Sequence, residues 1–320
     1  MSASSFRYVY GPVPSRRLGR SLGIDLVPFK TCTYDCVYCQ LGRTTDQTID
    51  RQEYVPIKDV LAELEQKLAA EDTPDYISLA GSGEPTLNSC IGDLIETIKD
   101  LTNIPVAVLT NGSLLWIRDV REALMVADLV LPSLDAGDER LFRYVNRPHG
   151  AITFERMFAG LVQFTEHFPE SVWLEVFLLA GVTGTPAEVE KIAALVKRIG
   201  PARVQLNTVS RPPAEKSAFA VLRNQMEQFK ELFDGAVDVI TESGRGQSPA
   251  SSANEMTDAD ILALLSRRPC TSADVANGLG IHVMEALKHL DGLIAAGKVT
   301  TVVTAGRSFY TIGLSRGKHA

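Results

Sequence analysis

Three closely spaced cysteines constrain this chain more than any other feature of its sequence. Cys32, Cys36 and Cys39 follow the spacing Cys-x3-Cys-x2-Cys, whereas Cys90 and Cys270, the remaining two of five cysteines, stand alone. Three thiolates on one short loop can each bind one iron of a [4Fe–4S] cluster, which leaves the fourth iron without a protein ligand. Such an open iron can bind a small molecule and pass an electron into it. The spacing therefore predicts a cluster with chemistry at its fourth iron.

Zinc and a disulfide are the alternative interpretations of the cysteine motif. Structural zinc takes four ligands, and neither a histidine nor a fourth cysteine lies within twenty residues of the motif. A disulfide would pair two of the cysteines and leave one over. No apolar segment follows a basic N-terminus and no membrane span is visible, so we expect a reducing, cytoplasmic location.

Length and charge limit the classes of protein to consider. A chain of 320 residues with 45% hydrophobic content can bury one large core, or a core and a small second domain. The net charge of −7 provides no general basic surface. A broad nucleic-acid-binding surface is therefore not expected, although a local basic patch would still support binding.

Short apolar runs alternate with longer amphipathic stretches, the pattern of a parallel sheet covered by helices. The predicted strands are 21–27, 75–80, 104–110, 127–133, 172–179 and 202–207. The predicted helices are 56–71, 89–102, 115–124, 152–167, 186–199 and 216–233. Six such units predict an α/β fold, an incomplete (β/α)6 TIM-like barrel over residues 1–242, with a doubly wound open sheet as the alternative.

A glycine-rich turn follows the second predicted strand and contains Gly81, Ser82, Gly83, Glu84 and Pro85. Glycines allow the backbone to approach a ligand closely, and a carboxylate can accept hydrogen bonds from an ammonium group. A turn of this kind is more often a simple strand-to-helix corner. Its position one βα unit after the cysteine loop favours a role in the same site, because carboxyl ends of parallel strands share one edge.

Polar residues also follow the later strands. The third strand ends at Asn111, the fourth at Ser133 and Asp135, and Glu175 lies within the fifth. The first three side chains could hydrogen-bond a ribose or a carboxylate, or they could simply make a turn and begin a helix. A lone carboxylate in an apolar strand needs a partner, so Glu175 predicts either a ligand contact or a buried ion pair.

Together these motifs resemble the radical S-adenosylmethionine (SAM) superfamily. The resemblance implies that Cys32, Cys36 and Cys39 bind a [4Fe–4S] cluster, whose open iron holds SAM and whose electron cleaves it to methionine and a 5′-deoxyadenosyl radical. The glycine-rich turn resembles the family's Gly-Gly-Glu-Pro motif with serine in place of the first glycine, which implies that Glu84 binds the SAM amino group. Tyr38 is implied to lie near the adenine.

Further implications follow from the same resemblance. Relatives use the end of the fourth strand and the region of Glu175 to contact SAM, and they need an electron donor such as flavodoxin or ferredoxin. The segment 11–42 is most similar to proteins grouped near the wyosine-forming tRNA enzymes. Those enzymes carry a second cluster on additional N-terminal cysteines, whereas no cysteine precedes Cys32 here. The substrate is therefore left open.

Three cationic segments are not needed for SAM cleavage. Arginine side chains suit phosphate and carboxylate, so these segments predict an anionic substrate or a contact with the SAM carboxylate; a solvated basic surface is the alternative. Arg147 and His149 are the candidate catalytic pair, although a histidine in a loop more often has no special role. The arginines of the other two segments are Arg16, Arg17, Arg20 and Arg211.

Composition changes near the C-terminus. Residues 243–256 are rich in Ser, Gly, Ala and Pro and predict a linker that allows the following domain to move independently. Three short helical stretches and two strand runs follow in 257–320, a pattern that resembles a winged helix with a helix-turn-helix pair at 271–279 and 281–296.

This small domain is a weak match for DNA. It carries seven Lys or Arg and five Asp or Glu, and its predicted recognition helix presents acidic residues together with Lys288 and His289. A phosphate-lined groove would repel such a helix. We therefore expect a docking module for a peptide, a protein or RNA.

Two alternatives to an enzyme acting on a free metabolite remain: a tRNA-modifying enzyme of wyosine-like type, and a redox-sensing iron–sulfur regulator that binds DNA.

Overall fold

A sheet whose parallel strands follow one another in chain order forms most of the protein. The computed structural model describes residues 6–70, 73–240, 257–304 and 306–313. The strands are β1 Val9–Ser15, β2 Gly19–Ile24, β3 Thr31–Cys32, β4 Asp46–Gln47, β5 Tyr76–Leu79, β6 Val106–Leu109, β7 Leu129–Leu131, β8 Trp173–Leu178, β9 Arg203–Thr208, β10 Val237–Val239, β11 Val299–Thr304 and β12 Arg307–Ile312. The helices are α1 Ile57–Ala70, α2 Ile91–Leu101, α3 Arg118–Leu124, α4 Glu139–Val145, α5 Phe154–His167, α6 Pro186–Ile199, α7 Arg223–Lys230, α8 Asp258–Arg267, α9 Ser272–Leu279 and α10 Val283–Ala295.

The strand order decides between the two predicted architectures. The order is β1-β2-β5-β6-β7, continued through backbone bridges from Val130 to Val172 and from Ser133 to Glu175 into β8-β9-β10. All neighbours are parallel except β1 and β2. Successive connections advance in one direction, as in a barrel, whereas a doubly wound sheet reverses at a switch point. The fold is thus a partial α/β barrel, as predicted.

The N-terminal segment is a correction to the sequence analysis. The predicted strands begin at residue 21, but Val9–Ser15 forms the edge strand β1. This strand contains two prolines. An edge strand tolerates proline because one of its sides has no hydrogen-bonding partner, and pairing with β2 is irregular between Tyr10 and Val13. Strand β10 and helix α4 were also missed, since both are short.

Burial along the strands identifies the inner face of the barrel. In β5, β6 and β7 nearly every side chain is buried, because helices cover one face and the barrel interior covers the other. Strand β8 alternates instead: Trp173, Glu175 and Phe177 are partly exposed and the intervening residues are buried. Side chains of one parity share a face, so these three residues line one side of β8 together.

The C-terminal segment contains the predicted elements. Helices α8, α9 and α10 pack around their own hydrophobic cluster, β11 pairs with β12 in an antiparallel hairpin, and Cys270 exchanges backbone hydrogen bonds with Tyr310. The winged-helix assignment itself stays a prediction, and the predicted linker 243–256 lies outside the described residues. Among the residues described, no helix has both the length and the apolar character needed to cross a membrane.

Ion pairs join this segment to the barrel, and the predicted independent movement of the segment stays a prediction. Arg267 of α8 forms an ion pair with Asp25, which follows β2, and lies over the ring of Tyr10 at 4.1 Å. Arg211, after β9, forms two hydrogen bonds with the carboxylate of Asp274 at 3.0 and 3.1 Å. These ion pairs are largely shielded from solvent, so the C-terminal segment is docked on the edge of the barrel.

Candidate iron–sulfur and SAM site

The cysteine loop and the glycine-rich turn form one unit. The backbone N–H of Lys30 donates to the carbonyl of Ser82 at 2.7 Å, and the N–H of Glu84 donates to the carbonyl of Thr31 at 3.2 Å. These bonds attach the segment before Cys32 to the turn after β5. The two motifs were expected to meet at one edge of the sheet, and the structure brings them together.

Two glycines are required by close approaches within this unit. Gly81 has φ +115°, and a Cβ atom there would lie 1.8 Å from Oδ1 of Asp25. A Cβ atom on Gly83 would lie 1.8 Å from the carbonyl oxygen of Thr31. Any larger residue would separate the turn from the cysteine loop or from Asp25. The glycines therefore serve packing within the protein, in addition to any approach of a ligand.

Each sulfur of the cysteine motif has a side-chain N–H donor from a different residue. Asn111 Nδ2 lies 3.6 Å from Cys32 Sγ, and Asn146 Nδ2 lies 3.6 Å from Cys36 Sγ. The third donor is the ammonium Nζ of Lys30, 3.3 Å from the Sγ of Cys39. Hydrogen bonds of this kind stabilise negative charge on sulfur and influence the potential of an iron–sulfur cluster.

Lys30 is an unusual residue for this position. Its side chain is buried, with 3% relative exposure, and Nζ also donates to the carbonyl of Gly42 at 2.5 Å. Within the described part of the chain, no carboxylate lies at ion-pair distance from Nζ. A buried ammonium group requires an anionic partner. Thiolates bound to iron would supply that negative charge beside Cys39.

Burial disfavours the thiolate form of two of the three motif cysteines. Burial raises the pKa of Cys32 to about 12, and the nearby carboxylate of Glu84 acts in the same direction. Burial and the charge of Asp135 raise the pKa of Cys36 well above its ordinary value. Cluster binding would therefore release protons from this loop.

A cluster fits these three cysteines better than a single ion. No group of His, Cys, Asp or Glu within the described ranges is arranged to hold one metal ion. A [4Fe–4S] cluster makes a different demand, because each cysteine binds its own iron and the sulfurs stay apart. Three cysteines with side-chain N–H donors at their sulfurs, and a buried lysine with no carboxylate partner among the described residues, match that demand.

The carboxylate of Glu84 accepts hydrogen bonds from neighbouring residues of the protein. The carboxylate is 1% exposed and accepts hydrogen bonds from Thr86 N, Thr86 Oγ1 and Thr110 Oγ1 on Oε1, and from Asn111 N on Oε2. Burial raises its pKa, while these hydrogen bonds lower it. Glu84 thus joins the glycine-rich turn to the end of β6. Its contact with the SAM amino group stays a prediction.

Asp135 has a similar position at the end of β7. Its carboxylate is buried and accepts from the hydroxyl of Tyr38 at 2.5 Å, from Asn146 Nδ2 at 2.6 Å and from the backbone N–H of Phe177 at 3.3 Å. Burial raises its pKa to about 6, although the bonds from Tyr38 and Asn146 lower it. The ring of Tyr38 stacks on Phe177 with centroids 3.9 Å apart. The ribose and adenine contacts of Asp135 and Tyr38 stay predictions.

The side chain of Asn111 is hydrogen-bonded within the protein, whereas Ser133 is partly exposed. The Asn111 amide donates to Thr33 Oγ1 at 2.8 Å and accepts from the backbone N–H of Ser113 at 2.9 Å. Asn111 therefore supports the cysteine loop directly. Ser133 is partly exposed beside Glu175 of β8, to which it is joined by a backbone bridge. Its role toward SAM stays a prediction.

Glu175 has the ion pair that the sequence analysis offered as one alternative. Its Oε2 pairs with Nη1 of Arg17, and its Oε1 accepts from Asn207 Nδ2 at 2.8 Å. Both side chains of the ion pair are mostly shielded from solvent. A contact between Glu175 and adenine would have to be made in addition to this pair.

The candidate catalytic residues Arg147 and His149 lie beside the cysteine loop. Arg147 pairs with Glu215 at 2.8 Å, and that ion pair raises the pKa of Arg147. The backbone N–H of His149 donates to the carbonyl of Thr33, and its Nδ1 accepts from the backbone N–H of Ala151. Both residues help to hold the loop in shape, and their catalytic roles remain predictions.

Sequence reasoning missed Lys30, Asn146 and Asp25. Lys30 precedes the motif by two residues, and a basic residue so near three cysteines was a usable signal. Asn146 and Asp25 carry no such signal, because their partners are distant in sequence.

The family follows from sequence comparison. A model of the radical SAM superfamily matches residues 26–210, which include the cysteine motif and the glycine-rich turn. The chain therefore belongs to the radical SAM superfamily. Membership implies a [4Fe–4S] cluster and SAM as the cofactors of the site described above.

Relatives cover nearly the whole chain. A UPF0026 protein of Methanocaldococcus jannaschii is 32% identical over 94% of this chain and 94% of its own length. A UPF0026 protein of Helicobacter pylori is 31% identical over 97% of this chain. A Brachyspira hyodysenteriae protein described as GTPase Obg is 37% identical over 96% of this chain, but the match spans only 45% of that longer protein. The description as GTPase Obg therefore applies to that longer protein.

Solved structures share the fold at low identity. A radical SAM methyltransferase from Sphaerobacter thermophilus has a TM-score of 0.51 at 17% identity and covers 70% of this chain and 67% of that one. SuiB from Streptococcus suis, solved with SAM bound, has a TM-score of 0.52 at 15% identity. The match covers 68% of this chain and 50% of the SuiB chain. These similarities concern the α/β fold alone.

Proposed function

We propose that this protein uses a cluster bound by Cys32, Cys36 and Cys39 to cleave SAM reductively and to abstract hydrogen from a substrate. The cluster would supply the electron that converts SAM to methionine and a 5′-deoxyadenosyl radical. Asn111, Asn146 and the glycine-rich turn would hold this site in shape. An external donor such as flavodoxin or ferredoxin would deliver the electron.

The single observation that supports this function most strongly is the buried ammonium group of Lys30 beside Cys39. A lysine with 3% exposure and no carboxylate partner among the described residues is stabilised by negative charge nearby. A protonated thiol carries no such charge. A cluster held by three thiolates does, and the two asparagine donors reach the other two sulfurs.

Product analysis tests the proposal. Cluster-loaded protein, reduced by dithionite without oxygen, should convert SAM to 5′-deoxyadenosine and methionine in equal amounts. The Cys90→Ala variant is the matched control and should retain this reaction, because Cys90 lies outside the motif. Absence of 5′-deoxyadenosine from wild-type protein that holds its iron would refute SAM cleavage.

Charge next to the cluster leads to a prediction about its potential. Lys30→Met keeps the apolar stem but removes a positive charge near Cys39, so the reduced cluster should be harder to form. A redox titration followed by paramagnetic resonance should show a more negative midpoint potential than in wild type. Lys58→Met removes the same charge from the exposed face of α1 and should leave the potential unchanged. Equal potentials in all three proteins would show that Lys30 does not interact with the cluster.

For the C-terminal segment we propose a winged helix that binds the substrate or a partner. This segment contacts β1 through Val13 and the loop after β9 through Arg211. A tRNA modification of wyosine-like type is compatible with this position. A DNA-binding regulator is less compatible, because helix α10 combines the acidic Glu285 and Asp291 with Lys288 and His289.

A further inference from the structure

Arg267, the last residue of α8, reaches from the C-terminal segment to the barrel. Buried leucine and isoleucine residues of α8 belong to the segment's own hydrophobic cluster, whereas Arg267 forms an ion pair with Asp25, which follows β2. Nη2 of Arg267 also donates to the backbone carbonyl of Arg7 at 3.3 Å. The side chains of Arg267 and Asp25 are only 18% and 9% exposed, so each charge depends on the other as its partner.

Tyr10 provides a further contact for Arg267 on the barrel. The guanidinium carbon of Arg267 lies 4.1 Å from the centroid of the Tyr10 ring, within the range of a cation–π interaction. Tyr10 pairs with Gly23 of β2, and a Cβ atom on Gly23 would lie 2.2 Å from Cζ of Tyr10. The ring therefore lies directly against the backbone of β2, where glycine leaves room for it. Arg267 is thus placed by two side chains of the sheet.

The second oxygen of the Asp25 carboxylate binds the glycine-rich turn. Oδ1 of Asp25 accepts from the backbone N–H of Ser82 at 2.8 Å. The carbonyl of Ser82 accepts from the N–H of Lys30 at 2.7 Å, and the ammonium group of Lys30 lies 3.3 Å from the Sγ of Cys39. Ser82 is therefore held on one side by Asp25 and on the other by the segment that leads into the cysteine loop. A change in the orientation of Asp25 would move the turn relative to that loop.

We propose that Arg267 is a positioning residue for SAM binding, acting through Asp25 and the glycine-rich turn. The inference rests on the proposed function, in which this turn holds the SAM site in shape, and it gives the C-terminal segment a part in that function. Such a coupling is reciprocal: docking of the segment favours the SAM-binding form of the turn, and SAM favours docking. A substrate or partner that shifts the C-terminal segment would thereby change the affinity for SAM.

Calorimetric titration of the full-length, cluster-loaded protein with SAM tests the positioning role. Arg267→Met keeps an apolar stem but removes the partner of Asp25, and it should weaken SAM binding by about tenfold, within the usual range of coupling between two sites. Arg267→Lys keeps the charge and should recover part of the lost affinity. Iron and sulfide content should be equal in the three proteins, so that weaker SAM binding does not reflect loss of the cluster.

Asp274→Asn is the matched control. Asp274 joins the C-terminal segment to the barrel through its own shielded ion pair with Arg211, which follows β9 rather than β2. The control should therefore lower the free energy of unfolding in denaturant, as Arg267→Met does, without weakening SAM binding. Equal loss of SAM affinity in both variants would assign the effect to docking in general. Unchanged affinity in Arg267→Met would limit Arg267 to holding the segment, and either result would overturn the proposal.

Amide hydrogen exchange of the wild-type protein tests the reciprocal effect without a substitution. Addition of SAM should slow exchange both in the glycine-rich turn and in α8. In Arg267→Met the protection by SAM should remain in the turn and disappear from α8. Exchange in α8 of the wild-type protein that is the same with and without SAM would overturn the coupling.

The proposed function can fail separately. Wild-type protein that holds its cluster but does not bind SAM would refute the proposed function. Wild-type protein that binds and cleaves SAM, with the same SAM affinity in Arg267→Met, would overturn the positioning role alone.

Discussion

Replacing Cys32, Cys36 and Cys39 together by alanine is expected to abolish iron and sulfide binding. Wild-type protein reconstituted without oxygen should hold about four iron and four sulfide per chain, the content of one cube. Any single replacement should have nearly the same effect, because two thiolates rarely retain a cube. Iron and sulfide assays together with the visible absorption of the reconstituted proteins measure this outcome.

The matched control removes the other two cysteines. Cys90→Ala and Cys270→Ala should leave iron and sulfide unchanged, since Cys90 lies before α2 and Cys270 is buried in the C-terminal cluster. A requirement for either cysteine would mean that the cluster has a fourth protein ligand, and the open-iron argument would fail. Retention of iron by the triple variant would remove the cluster assignment altogether.

Glu84→Gln is expected to weaken SAM binding strongly and to lower the free energy of unfolding. An amide cannot accept from Thr86, Thr110 and Asn111 as a carboxylate does, because its NH2 group would face N–H and O–H donors. Each buried donor left without an acceptor costs about 1–3 kcal/mol. Titration of the reduced cluster with SAM, followed by paramagnetic resonance, and denaturant unfolding of the same protein measure the two effects.

The same variant separates two roles of Glu84. Loss of stability with unchanged SAM affinity would limit Glu84 to joining the turn and β6. Loss of SAM affinity with unchanged stability would favour a direct contact with the SAM ammonium group. Glu96→Gln, on the exposed face of α2, is the control and should alter neither quantity.

The docked C-terminal segment also reaches the glycine-rich turn through Asp25. Oδ1 of Asp25 accepts from the backbone N–H of Ser82 at 2.8 Å, while Oδ2 pairs with Arg267 of α8. Breaking a buried ion pair from one side typically costs about 3–5 kcal/mol, because the remaining charge stays buried. The position of the C-terminal segment and the conformation of the turn are therefore coupled through one carboxylate.

Local patterns were sufficient for much of the fold. Six parallel strands and the C-terminal helices were predicted, because apolar runs and amphipathic periods report burial directly. Strand β1 was not predicted, since its prolines are acceptable only at a sheet edge, and an edge is a property of the assembled sheet. Strand β10 was not predicted either, because its three residues are too few to show a hydrophobic period.

The sequence by itself determined the superfamily and identified the cysteine motif and the glycine-rich turn, because both depend on spacing within a few residues. That the three cysteines bind the cluster stays a prediction. Only the tertiary structure decided which residues support them. Asn111, Asn146 and Lys30 donate to the three sulfurs, and two of these donors lie 79 and 110 positions from their cysteines. Hydrogen bonds and ion pairs between distant residues follow from the folded arrangement, which no local pattern reports.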